Sequence, residues 1–454
     1  MSQQMMSWQQ LLSSQRLQGM SRHGVDDVGR SPFHKDHDRV VFSGSFRRMG
    51  RKTQVHPLAE NDHIHTRLTH SLEVSCVGRS LGMMVAESIQ HQLPDNISPA
   101  DLGVIVQSAC LAHDIGNPPF GHAGEYAIRD WFLQAEKQGR LDGLTPEQKA
   151  DLITFEGNAQ GFRMVTQVEY NQFAGGMKLT YATLGTFLKY PWTATYASSP
   201  SNTKSAGKFS CYQTELPMLQ ETAKALGLIQ LADQRWCRHP LVYLVEAADD
   251  LCYALLDLED GLEMEILAYQ EVEDLLLQIA GSEPEGYRRL AKASNRRRVA
   301  ALRGAAMEQV VAAVSKAFVE HQDELLAGCF NRDLIDACSP DIAQGVAQAK
   351  QMAQQRIFDH PRKAKLEIGA YTTLGVLLEN FCGAVDELSA LKETESGAPL
   401  SFKHKRVLSL IGENIPDTGW SRYEAYRRVL DFIGGMTDNY AVDLAQEMGG
   451  RLNG

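Results

Sequence analysis

The chain has eight cysteines in 454 residues, and no two form a CxxC pair. Cys76, Cys110, Cys211, Cys237, Cys252, Cys329, Cys338 and Cys382 are scattered, which argues against a zinc ribbon and against a disulfide framework. The first residues, MSQQMMSWQQLL, lack a basic stretch followed by an apolar one. Apolar runs fall well short of the roughly 20 residues that span a bilayer, so the expectation is a cytoplasmic protein with no membrane partner. Positive charge is also short: the formal net charge is −11, which disfavours a broad surface for polyanions. No repeat period and no long linker divides the chain, so residues 1–454 are read as a single body. With 43% hydrophobic and 22% charged residues it can bury a large core, and disorder is not expected.

Helical periodicity is abundant. From Leu68 onward, LTHSLEVSCVGRSLGMMVAESI places apolar residues three and four apart, as do the stretches around 101–113, 240–258, 300–319 and 367–390. Strand-like alternation is limited to VVFSGS near 40 and KLTYATL near 178, enough for a small hairpin. The class is predominantly α. Arg47, Arg48, Arg51, Lys52 and Arg67 form a local basic group within the acidic whole. Thr193–Gly207, TATYASSPSNTKSAG, reads as a loop, either a lid or a plain connection, and ETESGAP (393–399) as a second loop.

The chemistry concentrates in ACLAHDIGNPPFGHAGE, residues 109–125, where an apolar helix ends in His113 and Asp114. A buried ionisable pair is costly unless a metal or a partner compensates. His70, early in the helix that begins at RLTH, and Asp249, in LVEAADDLCYALLDLEDG, complete a set of two imidazoles and two carboxylates. Such donors suit Mn, Fe, Ni, Co or Mg better than a thiolate-bound metal. Asp249, Tyr253 and Asp257 recur every four residues and share one helix face, as a cleft wall would.

The blocks RSPFHKDHDRVVFSGSFRRMGRKTQV, RLTHSLEV, HDIGNPPFGHAGE, FEGNAQGFR, LKYPW, EAADDLCYALLDLEDG and GGMTDNYA, in that order, resemble the dGTPase family of the HD superfamily over nearly the whole chain. The resemblance implies an all-α HD-domain fold with extra helices and at most a small β-hairpin. The HD core would cover roughly 60–265 and a C-terminal helical part roughly 266–454. It implies hydrolysis of a deoxynucleoside triphosphate, dGTP foremost, to a deoxynucleoside and inorganic triphosphate.

By the same resemblance a divalent metal is held by His70, His113, Asp114 and Asp249, and His122 and Glu125 are the catalytic pair. Gln54 and Arg67 face the substrate, Tyr253 packs on the deoxyribose, and Asp257 bonds near the sugar or phosphates. Lys189 and Tyr190 contact phosphate; Asn158 in EGNAQ could cap a helix instead, and the sequence does not orient Arg427, Arg428 and Asp438. A homo-oligomer, tetramer or hexamer, is expected, with single-stranded DNA or an allosteric dNTP as further partners. One departure is NDHIHTRLTH, where His63 and His65 stand where relatives often carry arginine; His65 near the phosphates would make affinity pH-dependent. Two other readings stay open: another HD phosphohydrolase, acting on nucleotides or alarmones, and a non-catalytic nucleotide or DNA sensor.

Overall fold

Serine or threonine stands just ahead of several long helical runs, where its side chain takes up backbone N–H groups that a helix start leaves unpaired. The computed structural model describes residues 4–17, 29–54, 65–170, 176–197, 207–358, 361–393, 398–416 and 419–451. Helix α1, Pro32–Val41, follows Ser31 with proline in its first turn. Thr66 opens α2, Arg67–Ser88, and Ser98 opens α3, Pro99–Ala112, each in a capping box. The helix α4, His122–Lys137, starts differently, from Gly121 and without a side-chain cap.

Helices α2 and α3 pack along each other more extensively than any other pair, with α1 against α3. Their approach is close because a Cβ on Gly82 would lie 3.0 Å from Gly103 Cα. Across them runs α5, Val242–Glu263. Helices α6, Tyr269–Ala280, α7, Asn295–Glu320, and α8, Pro340–Ala353, extend this first apolar core.

A second core forms where α4 meets α9, Pro361–Glu393, α10, Arg422–Gly434, and α11, Asp438–Met448. The Glu367–Glu393 part of α9, with mean hydropathy 1.2, is long and apolar enough to cross a membrane. Here Leu374, Leu377, Leu378, Phe381 and Cys382 are fully buried in that core, each large apolar side chain contributing about 1.5–3 kcal/mol. Arg140 fastens the same helix by ion pairs of 2.8 Å to Glu379 and 2.7 Å to Asp386.

The all-α class expected from periodicity holds. The hairpin lies elsewhere than expected: β1, Gln230–Ala232, pairs antiparallel with β2, Arg235–Trp236. VVFSGS is helical on both sides of Ser43, whose hydroxyl caps Gly44–Arg48. The segment KLTYATL runs into helix Tyr181–Phe187, capped by Thr180. Local capping by hydroxyl groups outweighed β propensity in both. All eight cysteines are free thiols. Of the proposed lid, residues 198–206 lie outside the described residues, as do 394–397 of the second loop and His63.

Candidate active site and metal centre

Three helices bring distant residues to one point. The start of α2 supplies His70, the end of α3 supplies His113 and Asp114, and the second turn of α5 supplies Asp249. Donor atoms of His70, His113 and Asp249 lie within 4.8 Å of one another. Asp249 Oδ1 is 3.0 Å from His70 Nε2 and 3.4 Å from His113 Nε2.

Tautomer geometry supports a cation there. His113 Nδ1 lies 2.6 Å from the Cys110 carbonyl, so Nδ1 carries the hydrogen and Nε2 offers its lone pair to the centre. Burial opposes charge on His113, but Asp114 and Asp249 outweigh it and raise its pKa to about 9, so without a metal a proton sits on Nε2 where a cation would displace it. Burial likewise opposes charge on Asp249, yet His113 and His70 hold it well below the usual range. Two imidazoles and a carboxylate, concentrated and negatively polarised, fit a divalent metal.

Asp114 stands beside this trio rather than in it. Its Oδ1 is 3.6 Å from His113 Nε2 and accepts from Asn117 Nδ2 at 2.5 Å, while Oδ2 takes Arg67 at 2.6 Å. Burial is overcome by Arg67 and His113, leaving its pKa at about 2.

The turn after the His-Asp pair is built from two consecutive left-handed residues, Phe120 at φ 64° and Gly121 at φ 57°. For phenylalanine that conformation costs energy and must be held by its surroundings. A Cβ on Gly121 would lie 2.4 Å from the Arg67 guanidinium, so glycine is needed here twice over. The turn delivers His122 to the first position of α4, with its side chain 73% exposed and Nδ1 bonded to Glu125 at 2.8 Å. Glu125 is buried and also accepts from Gly157 N at 2.6 Å. Burial is outweighed by His122 and Lys208, which hold its carboxyl at about 2.

A cavity of about 290 Å³ joins these groups, close to the ~300 Å³ at which small-molecule pockets begin. Gln54, Arg67, His113, Asp114, His122, Glu125, Lys189, Tyr190, Asn158, Asp249 and Tyr253 all line it. Lys189 lies 3.4 Å from Glu246 and, despite burial, Tyr190 and Glu246 raise its pKa. Gln54 Oε1 is buried without a hydrogen-bond partner among the described residues. The Tyr253 ring stacks on Phe358, centroids 5.2 Å apart. Asp257 is buried and does not reach the cavity wall, and Asp250, next to Asp249, pairs with Lys350 at 2.8 Å.

His65 also departs from expectation. It bonds Asp260 at 2.7 Å and lies 3.3 Å from Glu73, lining a separate cavity with Arg296 and Arg303 rather than the one that holds His113 and Asp249. Asn158 sits behind the actual cap, Glu156. Arg427 is fully buried over the Tyr212 ring, 3.4 Å from its centroid, and Arg428 packs on Trp420.

Sequence reading missed Glu156 and Lys208. Lys208 Nζ is 3.1 Å from Glu156 and 3.9 Å from Glu125, so a second carboxylate and a cation adjoin the His122–Glu125 pair. Glu156 stood in the FEGNAQGFR block; Lys208, at the end of a polar loop, carried no signal.

The HD domain family model matches residues 67–149, a span holding His70, His113, Asp114, His122 and Glu125. Helical frame and site together define an HD-domain protein of the phosphohydrolase class. Among its relatives, a deoxyguanosinetriphosphate triphosphohydrolase-like protein of Pseudomonas aeruginosa is 57% identical over 98% of this chain and 99% of its own length. A protein of the same description from Synechocystis is 41% identical over 98% and 99%. A deoxyguanosinetriphosphate triphosphohydrolase of Yersinia pestis is 31% identical over 90% and 92%. The chain belongs to the deoxyguanosinetriphosphate triphosphohydrolase-like family.

Proposed function

We propose that the protein is a metal-dependent deoxynucleoside triphosphate triphosphohydrolase, with dGTP as its foremost substrate. The observation that carries this reading is the junction, in one cavity, of His113 and Asp249, with His70 clustered behind them, the His122–Glu125 pair and the Tyr253 wall. Relatives named for this reaction support it.

His70, His113 and Asp249 would hold the metal, with Asp114 adjacent. A divalent ion, whether Mn, Mg, Fe, Co or Ni, supplies Lewis-acid stabilisation of charge on phosphate oxygens. Water attacks the α-phosphorus and the bond to the 5′ oxygen breaks, giving a deoxynucleoside and inorganic triphosphate. Glu125, ionised, accepts from the Nδ1–H of His122, leaving the other ring nitrogen to deliver a proton to the departing 5′ oxygen, and the proton released by the attacking water restores the balance. Lys189 supplies a point charge for the triphosphate, with Tyr190 beside it. Tyr253, backed by Phe358, occupies the place of a 2′-hydroxyl and disfavours ribonucleotides.

Product analysis with each of the four dNTPs and GTP, in Mn and in Mg, tests this against Asp114→Ala. Deoxynucleoside plus intact triphosphate, lost in the variant, is expected; release of pyrophosphate or single phosphate would refute it. A cytoplasmic homo-oligomer is part of the same proposal, checked by light scattering on the purified chain.

A further inference from the structure

The catalytic turn is tied to the far end of the chain. Asp438, at the first position of α11, is 1% exposed. Its Oδ1 accepts from the Phe120 backbone N–H at 3.0 Å. Its Oδ2 accepts from the Thr53 N–H at 3.0 Å and the Thr53 hydroxyl at 2.8 Å. Phe120 is the left-handed residue two places before His122, and Thr53 precedes Gln54 in the cavity wall.

Asp438 is not needed to start its own helix. Thr437 does that, accepting from Tyr440 N. A buried carboxylate is tolerated only when its lone pairs are taken up, and all three donors come from the two segments that build the cavity rather than from α11. A neighbouring tie runs the same way: Lys52 Nζ donates to the Asn117 carbonyl and to Gly434 O at the end of α10, both at 2.6 Å.

We infer that Asp438 is a positioning residue for the reaction: it holds the strained Phe120–Gly121 turn that presents His122, and sets that turn at a fixed distance from the Gln54 segment. The inference rests on the role proposed above for His122. Without the carboxylate, nothing else among the described residues accepts the Phe120 N–H, and the turn can relax towards ordinary backbone angles. His122 is exposed and has one side-chain anchor, Glu125, so relaxation of the turn moves its ring.

Asp438→Asn keeps the shape but turns one acceptor into a donor. Expected are a fall in kcat of about 10- to 100-fold with KM within about threefold of wild type, and exchange of the Phe120, Gly121 and His122 amides about tenfold faster in the metal-free protein. Thr437→Ala, which removes the cap of the same helix, is the control: it lowers Tm without a comparable loss of kcat. In single turnover, adding Asp438→Asn to His122→Ala causes far less further loss than it does in the wild type, because the first residue acts chiefly through the second.

Equal losses in the Thr437 and Asp438 variants, unchanged exchange at Phe120, Gly121 and His122, or an additive double variant would overturn the inference. A wild type that releases no triphosphate would overturn the functional proposal instead, while the exchange result still reports on the tie.

Discussion

Gly157 is the place where one added methyl group would strike the centre without touching a ligand. A Cβ there would lie 2.5 Å from Asn117 Oδ1 and 2.8 Å from Glu125 Oε1. Both are about 1 Å inside the ~3.5 Å at which non-bonded attraction is best, and both atoms belong to side chains already committed. Glu125 accepts from Gly157 N at 2.6 Å, and Asn117 donates to Asp114 at 2.5 Å. Gly157→Ala therefore displaces the partner of His122 and the partner of Asp114 together. Rotating two side chains costs about 1–3 kcal/mol of stability, which a Tm scan reads as a modest drop. A misplacement near 1 Å costs on the order of 100-fold in rate, so kcat is expected to fall by about that factor with the fold intact. The assay is triphosphate release under saturating metal and substrate, with circular dichroism on the same sample. A variant that keeps kcat within about threefold of wild type would refute the reasoning, since it would mean neither Glu125 nor Asn117 needs its present position.

Asp36 is fully buried, bonded to Arg16 at 2.5 Å and to Thr180 N and Oγ1 at 2.9 and 2.6 Å; Asp36→Ala is expected to destabilise by about 3–5 kcal/mol in chemical denaturation. Burial opposes charge on His65, but the hydrogen bonds it donates to Asp260 and Glu73 outweigh it and raise its pKa to about 10. Its contribution to stability is full below its unfolded pKa of ~6.5 and is lost as pH rises through about 10. The Tm gap between wild type and His65→Ala should therefore narrow from pH 7 to pH 10.5, and a gap that widens would be inconsistent with the sign. Addition of Mn to about 100 times its Kd should stabilise the folded protein by ~2.7 kcal/mol, and Asp249→Ala should abolish that shift in a thermal melt.

Much of the site was legible because each segment announces its residue type locally. His113 and Asp114 stand at the end of an apolar run, and Asp249 and Tyr253 are four apart in a helix, so they share a face whatever packs against it. Asp257 satisfies the same spacing but turns into the protein, since two turns of helix carry the face past the edge of the cavity. His65 looked equivalent to a phosphate contact from its place before TRLTH, and Asp260, far along the chain, draws it elsewhere.

Helix periodicity, hydroxyl caps and the order of the motif blocks were determined by the sequence alone, because they depend on interactions a few residues apart. They define an all-α protein, its family resemblance and the identity of the metal-ligand candidates. Only the tertiary structure decided which carboxylates meet which cations. Lys208 beside Glu156 and Glu125, Asp438 beneath Phe120 and Thr53, and Asp114 held by Arg67 all join separate segments of chain. Each of these ties crosses more than 40 residues, and nothing in local spacing records them. Such contacts form when burial removes water from charged groups and leaves them no partner but one another.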